Sequence, residues 1–597
     1  MEIGAVEKSW KNYAAWVLLA AAAIYLTGII SPPSLMDDVD AVQAQIARNM
    51  LTSGDWVTAR LDGVVYFEKS PLVYWLIAFA FRLFGVHDWA ARIPIALSAI
   101  GLAWLTASFG NWAFGRRAGF YAGLVMATCV GLWLFTRILI PDVMLTLSTC
   151  LAFWAFQRAI EPQELQSRRW AAVLAASLGV GVMLKGLIAL IVVAGGAFAY
   201  LAITRQLFSR DTWRRLHVVS GAIIFLLIAA PWHILATLRM PPYLVFTMRS
   251  APGEYHGFFW FYFMNEHVLR FLNLRYPRDY NTVPRPAFWL LHLVWLFPWS
   301  VYFPAVARQN FRPLDRAGRT RLLAVCWAGF LLVFFTFSTT QEYYSMPIYP
   351  ALALLLGSAM ATENSWTRWG TRVLGSISAL CAIAIGVLLY LVRNTPAPGD
   401  ISNALQQHPG TYTLSMSHMG DLTVQSFAYL RAPLAMAGIA FMVGALACWL
   451  LRGRQAYLAM ALMMVLFIHA SRAAMVVFDP YLASRPLANA LLKAPAGGLI
   501  MNGPYYEFSS VIFYTDRNAL LWNGRINNLQ YGSYSPGSPP VFLDDRQFQA
   551  LWNSSNRYFV LSDETRRKHL QQAAASDHLF LVAESGTKFL YSNQPVN

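Results

Sequence analysis

Long apolar runs separated by short polar loops recur along this chain, and their length predicts membrane-spanning helices rather than alternating strands. The first run, residues 13–30, follows Lys8 and Lys11 and ends in Ile29, Ile30, Ser31, Pro32 and Pro33 without a small-x-small cleavage site. It is read as a retained helix that starts in the cytoplasm. Further crossings are expected at 89–112, 119–136, 142–159, 170–184, 186–203, 217–236, 287–306, 321–339, 343–361, 370–392, 432–451 and 456–477, about thirteen in all. The run 72–84 is shorter and interrupted by Arg82. If it does not cross, the loops carrying Arg116 and Arg117, Arg168 and Arg169, Arg214 and Arg215, Arg308 to Arg321, Arg368 and Arg372, and Arg452 and Arg454 all fall on the cytoplasmic side. If it crosses, every one of them faces outward, against the positive-inside rule. Residues 72–84 are therefore expected as a second juxtamembrane helix.

That parity places 31–85, 137–141, 238–286, 340–342, 393–431 and the whole of 479–597 outside. Within 31–85, the stretch 38–51 carries Val39, Val42, Ile46 and Met50 at helical spacing, with Gln43, Gln45, Arg48 and Asn49 on the other face. The pattern predicts an amphipathic helix lying on the membrane surface. Residues 479–597 change character, with short apolar runs at 498–501, 541–543 and 558–561 between turn-rich stretches. They predict a small external α/β domain. The expected fold is thus a polytopic α-helical membrane protein over 1–478, with external juxtamembrane helices at 31–85 and a C-terminal soluble α/β domain at 479–597.

Composition strengthens this picture. Of 597 residues 57% are hydrophobic and 13% charged, where soluble domains carry about a quarter charged. The net charge of +16 would suit nucleic acid, but the basic residues are spread over short loops as topology requires, so no nucleic-acid partner is expected. The five cysteines, Cys129, Cys150, Cys326, Cys381 and Cys448, all lie in apolar segments and read as small core residues rather than extramembrane disulfides.

Ionisable residues gather on the outer side: Asp37, Asp38, Glu68, Lys69, Arg137, Asp142, Lys185, His256, Glu266, His267, Arg270, Arg275 and Glu342, with Tyr343 and Tyr344 beside them. Asp142 and Lys185 are the most telling, since each sits at a helix end in apolar sequence, where a charge near the bilayer centre costs about 2.5–3.5 kcal/mol. The bland alternatives are a carboxylate placed on a helix dipole and a lysine snorkelling to the interface. Glu68 with His256 or His267 is a candidate divalent-metal site. No Walker loop, dinucleotide fingerprint, His-Glu-x-x-His or Gly-x-Ser-x-Gly occurs, so no nucleotide cofactor is expected. A substrate that arrives activated and membrane-bound fits an enzyme whose polar groups are external and interfacial.

Met36-Asp37-Asp38, the run Glu68 to Trp75, Pro141-Asp142, Lys185-Gly186, Asn265-Glu266-His267 with Arg270, and the tyrosine-bearing turn from Glu342 to Pro350 together resemble the bacterial aminoarabinose transferases. These are grouped with the protein O-mannosyltransferase-like GT-C glycosyltransferases. The chain departs from that pattern at Asp37-Asp38, where the family has Asp-Glu, at Lys69-Ser70-Pro71, where it has Lys-Pro-Pro, and at Gln341-Glu342, where a lysine is expected. The resemblance implies an inverting transfer of a sugar, with aminoarabinose as the candidate, from undecaprenyl phosphate to lipid A or another envelope acceptor. It would take place on the periplasmic face of the bacterial inner membrane. It implies that Asp37 or Asp38 and Asp142 act on sugar and acceptor. Lys69 with Arg137 or Arg270 would hold the lipid phosphate, and Lys185, Tyr343 and Tyr344 complete the substrate-binding set.

Two rivals stand beside this reading: a protein O-mannosyltransferase-like enzyme, and a lipid or solute transporter without chemistry. Transporters commonly show internal repeats and midplane polar groups, whereas no internal repeat is found here and the acids lie in external loops. Asp37 or Asp38, Lys69 and Asp142 are accordingly expected to converge on one cavity at the outer interface.

Overall fold

The computed structural model describes residues 2–278, 283–338, 340–406, 419–574 and 578–596. Among them, eight helices are long and apolar enough to cross a membrane, from Trp10–Ile29 to Gly453–Leu482. Two further apolar pairs are broken: Arg116–Thr128 with Val130–Thr136, bent by 45°, and Arg285–Trp295 with Trp299–Val306, bent by 96°. Counting each pair as one span gives ten. The sharper break falls at Phe297-Pro298, where proline has no N–H to continue a helical ladder. The other expected spans, 170–184, 186–203 and 343–361, correspond to the helices Ser167–Lys185 and Ile188–Ile203 and to a 3-10 turn, Glu342–Ile348, leading into Tyr349–Met360. Ile188–Ile203 has 16 residues, about 24 Å at 1.5 Å per residue, and a bilayer core is about 30 Å thick. By length and composition, eight to ten crossings stand among the described residues. Helices such as Val218–Arg239 and Ser365–Leu391 leave Leu227, Val219, Leu380 and Ile383 exposed, an apolar surface that suits lipid.

Outside the bundle, Asp40–Ser53 and Leu72–Phe84 are helices joined by a hairpin of β1 (Arg60–Leu61) and β2 (Val64–Val65). Leu72–Phe84 has 13 residues, about 20 Å, too short to span. Its Phe81 ring packs 6.2 Å from Phe513 of the C-terminal region, so the two lie on the same side. Asp40–Ser53 does not lie on the membrane surface as its amphipathic spacing suggests. Both its apolar residues Val42 and Ile46 and its polar Gln43 and Gln45 are buried, between Leu72–Phe84 and the helix Ser509–Thr515. Protein covers the face that the sequence assigns to water.

The C-terminal region builds a six-stranded sheet from β3 (Gly498–Asn502), β4 (Leu520–Trp522), β5 (Phe542–Leu543), β6 (Tyr558–Asp563), β7 (Phe580–Ser585) and β8 (Lys588–Ser592), in the order β5-β4-β3-β6-β8-β7. The first four pair in parallel, with Ile500 opposite both Leu520 and Val560, while β8 runs antiparallel to β6 and β7. Trp522 stacks on Phe548 at 3.8 Å over one face. The expected α/β class is therefore present. Its boundary at 478/479 falls inside the continuous helix Gly453–Leu482. Residues 407–418, within the expected external stretch 393–431, lie outside the described residues.

Candidate active site

Lys69 and Asp142 line one cavity of about 420 Å³. Glu68, Ser70, Lys185, Tyr262, Glu266, His267, Arg270, Tyr343 and Tyr344 share its polar end, and Leu187, Ile188, Ile191, Val192, Phe334 and Phe335 form an apolar trough. Asp142 opens the helix Asp142–Ile160, and Lys185 closes Ser167–Lys185. A carboxylate thus meets the positive end of one helix dipole and an ammonium the negative end of the next. The two form an ion pair through Asp142 Oδ1, while Asp142 Oδ2 is buried without a hydrogen-bond partner among the described residues. Lys185 Nζ also lies 4.9 Å from the ring centres of both Tyr343 and Tyr344, so two aromatic faces lie against a charge that is only partly exposed.

Gly186 explains the Lys-Gly pair. Its φ of +78° ends the helix, and a Cβ there would collide with His267 Nε2. That nitrogen accepts a hydrogen bond from Leu187 N–H at 3.0 Å, and Nδ1 lies 2.6 Å from the Tyr262 carbonyl. Nδ1 therefore carries the proton and His267 is neutral, consistent with burial lowering its pKa. Both ring nitrogens are occupied.

A second chain of polar contacts encloses the other wall. Trp260–Leu269 winds as a π-helix, a form often found at functional sites, and presents Glu266 inward. Arg270 Nη1 and Arg275 Nε each donate to Glu266 at 2.6 Å. Arg275 Nη2 donates to Asn528 Oδ1 at 2.8 Å, and Asn528 Nδ2 donates to Glu68 Oε2 at 2.7 Å. Tyr66 also donates to Glu68. Burial alone would raise the Glu68 pKa, but Lys69, Arg275 and Arg270 outweigh it and hold this carboxyl well below the usual range. Lys69 Nζ lies 3.7 Å from Glu68 Oε1 and makes no hydrogen bond among the described residues. Ser70 Oγ donates to the Val182 carbonyl at 2.9 Å and also bonds Tyr262. The lining cations Lys69, Lys185 and Arg270 balance Glu68, Asp142 and Glu266, and Arg275 behind them leaves a surplus of positive charge. Such a surplus, with unused ammonium donors, is suited to a phosphate.

Four expected site residues lie elsewhere. Asp37 accepts from Ser484 Oγ at 2.6 Å, Ser510 N–H at 2.8 Å and Lys588 Nζ at 2.6 Å, and so fastens the segment before Asp40–Ser53 to the C-terminal region. Asp38 is exposed, with φ +76°, and its N–H donates to the Tyr506 carbonyl. Arg137 lines a separate, smaller cavity with Asp40. His256 sits 3.4 Å from Glu254 and edge-on to Trp260, outside the main cavity. Glu68, His256 and His267 consequently do not assemble as metal ligands, and no group of three or more such side chains occurs among the described residues. The metal site expected from these three does not fit, because both nitrogens of His267 are occupied and His256 is remote. Sequence reasoning left out Ser70, Tyr262 and Asn528. Nothing local marks Asn528, which reaches Glu68 across 460 positions of sequence.

The chain thus combines a bundle of apolar helices, a polar cavity open to an apolar trough and a C-terminal α/β sheet. Residues 68–235 match the family described as dolichyl-phosphate-mannose-protein mannosyltransferase. The chain is similar to the undecaprenyl phosphate-alpha-4-amino-4-deoxy-L-arabinose arabinosyl transferase of Aeromonas salmonicida (strain A449), at 29% identity over 53% of this chain and 54% of that protein. It is similar also to the protein of the same name from Edwardsiella ictaluri, at 22% over 92% of each. In structure it resembles ArnT from Cupriavidus metallidurans bound to undecaprenyl phosphate, with a TM-score of 0.77, 20% identity and 98% coverage of both chains. The resemblance read from the sequence is thus borne out, and the fold is ArnT-like. In the Aeromonas salmonicida comparison the chain spans about half the length of its relative.

Proposed function

We propose that this chain is an inverting glycosyltransferase that moves a sugar, aminoarabinose in the first instance, from an undecaprenyl-phosphate carrier to lipid A or another envelope acceptor. The observation that carries the reading is the cavity of about 420 Å³, in which a polar end with surplus positive charge runs directly into an apolar trough. A lipid phosphate with a long hydrocarbon tail has this shape and polarity. Lys69 and Arg270 hold the phosphate and stabilise the charge that develops as it leaves. The unpartnered oxygen of Asp142 meets the sugar and acceptor. If the acceptor is a hydroxyl, Asp142 serves as general base. If it is a phosphate, the nucleophile is already anionic and Asp142 orients the amino sugar instead. The names of the relatives support this donor and sugar.

The same reading sets the topology. Ser167–Lys185, Ile188–Ile203, and the 3-10 turn Glu342–Ile348 continued by Tyr349–Met360 join the ten longer or broken spans as crossings, the cavity faces the periplasm, and the bundle sits in the inner membrane. The arginine parity of the loops supports this orientation.

Mass spectrometry of lipid A from cells with and without the protein tests the acceptor, and purified protein supplied with undecaprenyl-linked or nucleotide-linked sugar tests the donor. An aminoarabinose mass increment on lipid A and transfer from the lipid donor alone are expected. Transfer from a soluble nucleotide sugar without carrier overturns the donor assignment. A glycosylated protein with unmodified lipid A reassigns the acceptor to Ser or Thr, the reading favoured by the family match over 68–235.

A further inference from the structure

Tyr531 belongs to the C-terminal region in sequence and to the bundle in packing. It sits on the short helix Asn527–Gly532, after β4, and is fully buried in an apolar cluster. Among the described residues, the other buried members of that cluster, Phe67, Trp232, Trp260 and Phe261 among them, all lie before Arg270 in sequence. The phenol ring stands 4.4 Å from Phe261, 5.7 Å from Trp260, 5.4 Å from Tyr255 and 6.4 Å from Phe67, centre to centre. Its hydroxyl accepts from the His256 N–H at 3.0 Å and donates to the Gly257 carbonyl at 3.1 Å. A tyrosine whose ring fills an aromatic socket and whose hydroxyl uses both its functions is held in one place. The docking is close, since a Cβ on Gly532 would lie 2.1 Å from the Val65 carbonyl.

Each of these contacts falls just ahead of a charged residue of the larger cavity. Phe67 immediately precedes Glu68 and Lys69. Gly257, at φ +79°, opens the helical stretch that winds on as Trp260–Leu269 and brings in Glu266 and Arg270. One turn earlier on the short helix, Asn528 joins Glu68 to Arg275. The helix Asn527–Gly532 therefore grips both walls twice, by an amide at the polar end and by a phenol in the apolar socket. Lys69 stands on one wall and Arg270 on the other. We infer that Tyr531 is a positioning residue that sets the spacing of Lys69 and Arg270, so that both reach one lipid phosphate. Two cations share a phosphate only when both are within hydrogen-bond reach of it, and a misplacement of about 1 Å can cost about a hundredfold in rate. The role rests on the proposed lipid-phosphate donor.

Native mass spectrometry of the full-length detergent-purified chain tests this with undecaprenyl phosphate and undecaprenol, two lipids that share a tail and differ in the phosphate. The unaltered protein is expected to favour the phosphate by about tenfold or more. Tyr531→Phe keeps the ring and removes both hydrogen bonds, and should narrow that preference by about fivefold, with undecaprenol bound within about twofold of the unaltered protein. In a Lys69→Ala background the same substitution should change undecaprenyl phosphate binding by less than about twofold, because a single cation leaves no spacing to set. Losses that add in full overturn the role, since a merely structural residue would weaken both backgrounds alike. Undecaprenol binding reports a folded chain, and Phe67→Leu, which loosens the socket from the other wall, carries the test if Tyr531→Phe does not fold. A phosphate preference that survives Tyr531→Phe overturns the role alone. Equal binding of the two lipids by the unaltered protein overturns the lipid-phosphate reading, and the role with it.

Discussion

Two Asp–Lys pairs with buried carboxylates occur in this molecule, and they are built for opposite ends. Asp37 with Lys588 is closed: the carboxylate takes three donors, and Lys588 also donates to Ser484 Oγ at 3.1 Å and the Glu507 carbonyl at 2.9 Å. Asp142 with Lys185 is open, with one carboxylate oxygen unpartnered and the pair facing the larger cavity. A saturated pair fixes geometry, whereas an unsaturated one holds binding capacity for something not yet there. Residue type and sequence context do not separate the two. The number of partners does.

The sharpest break of that contrast is Lys69→Ala. Lys69 has spare donors beside the open pair, so transfer per folded molecule should fall by about a hundred- to a thousandfold, equivalent to about 2.7–4 kcal/mol of barrier. Full activity in the variant would remove Lys69 from the site. Lys588→Ala should do the reverse. Losing one member of a buried pair costs about 3–5 kcal/mol, which should lower the melting temperature and yield, yet transfer per folded molecule should match the unaltered protein. A collapse of specific activity there would show that the closed pair also serves the chemistry.

Asn528→Ala tests the link between the halves. It removes the bonds to Arg275 and Glu68, and a loss of about tenfold in kcat is expected from the shift of Lys69 and Arg270, at about 1–2 kcal/mol. Asn528→Gln, which keeps both amide functions, should recover part of it. Equal rates in the alanine variant and the unaltered chain would make the C-terminal contact a passive one.

The smallest effect concerns Asp62, a third buried carboxyl, in the β1–β2 turn with φ +46°. No cation lies within ion-pair distance among the described residues, and burial pushes its pKa from 3.8 up to about 7. A raised folded pKa means that the stability tied to its protonated form is complete below about pH 4 and is lost as pH rises through about 7. Asp62→Asn, an amide that tolerates a left-handed backbone, should therefore raise the melting temperature by a few degrees at pH 8 and hardly at all at pH 4. An equal gain at both values would contradict the shift.

Helix positions, the short helix at 72–84 and the C-terminal α/β region were legible because each depends on local spacing: apolar length against bilayer thickness and strands between turns. Lys69, Asp142, Lys185, Arg270, Tyr343 and Tyr344 were legible as polar groups that apolar surroundings do not tolerate singly. What tertiary structure alone decided is which of them meet. Asp37 reaches Lys588 across 551 positions and Asn528 reaches Glu68 across 460, distances over which no periodicity carries information. The helix Asp40–Ser53 makes the same point, since its spacing describes a helix with one wet face and only the docked C-terminal region makes that face dry. Sequence by itself determined which polar groups lipid does not tolerate singly; the packing of distant segments determined which are satisfied and which stay open, because satisfaction is a property of three-dimensional neighbours.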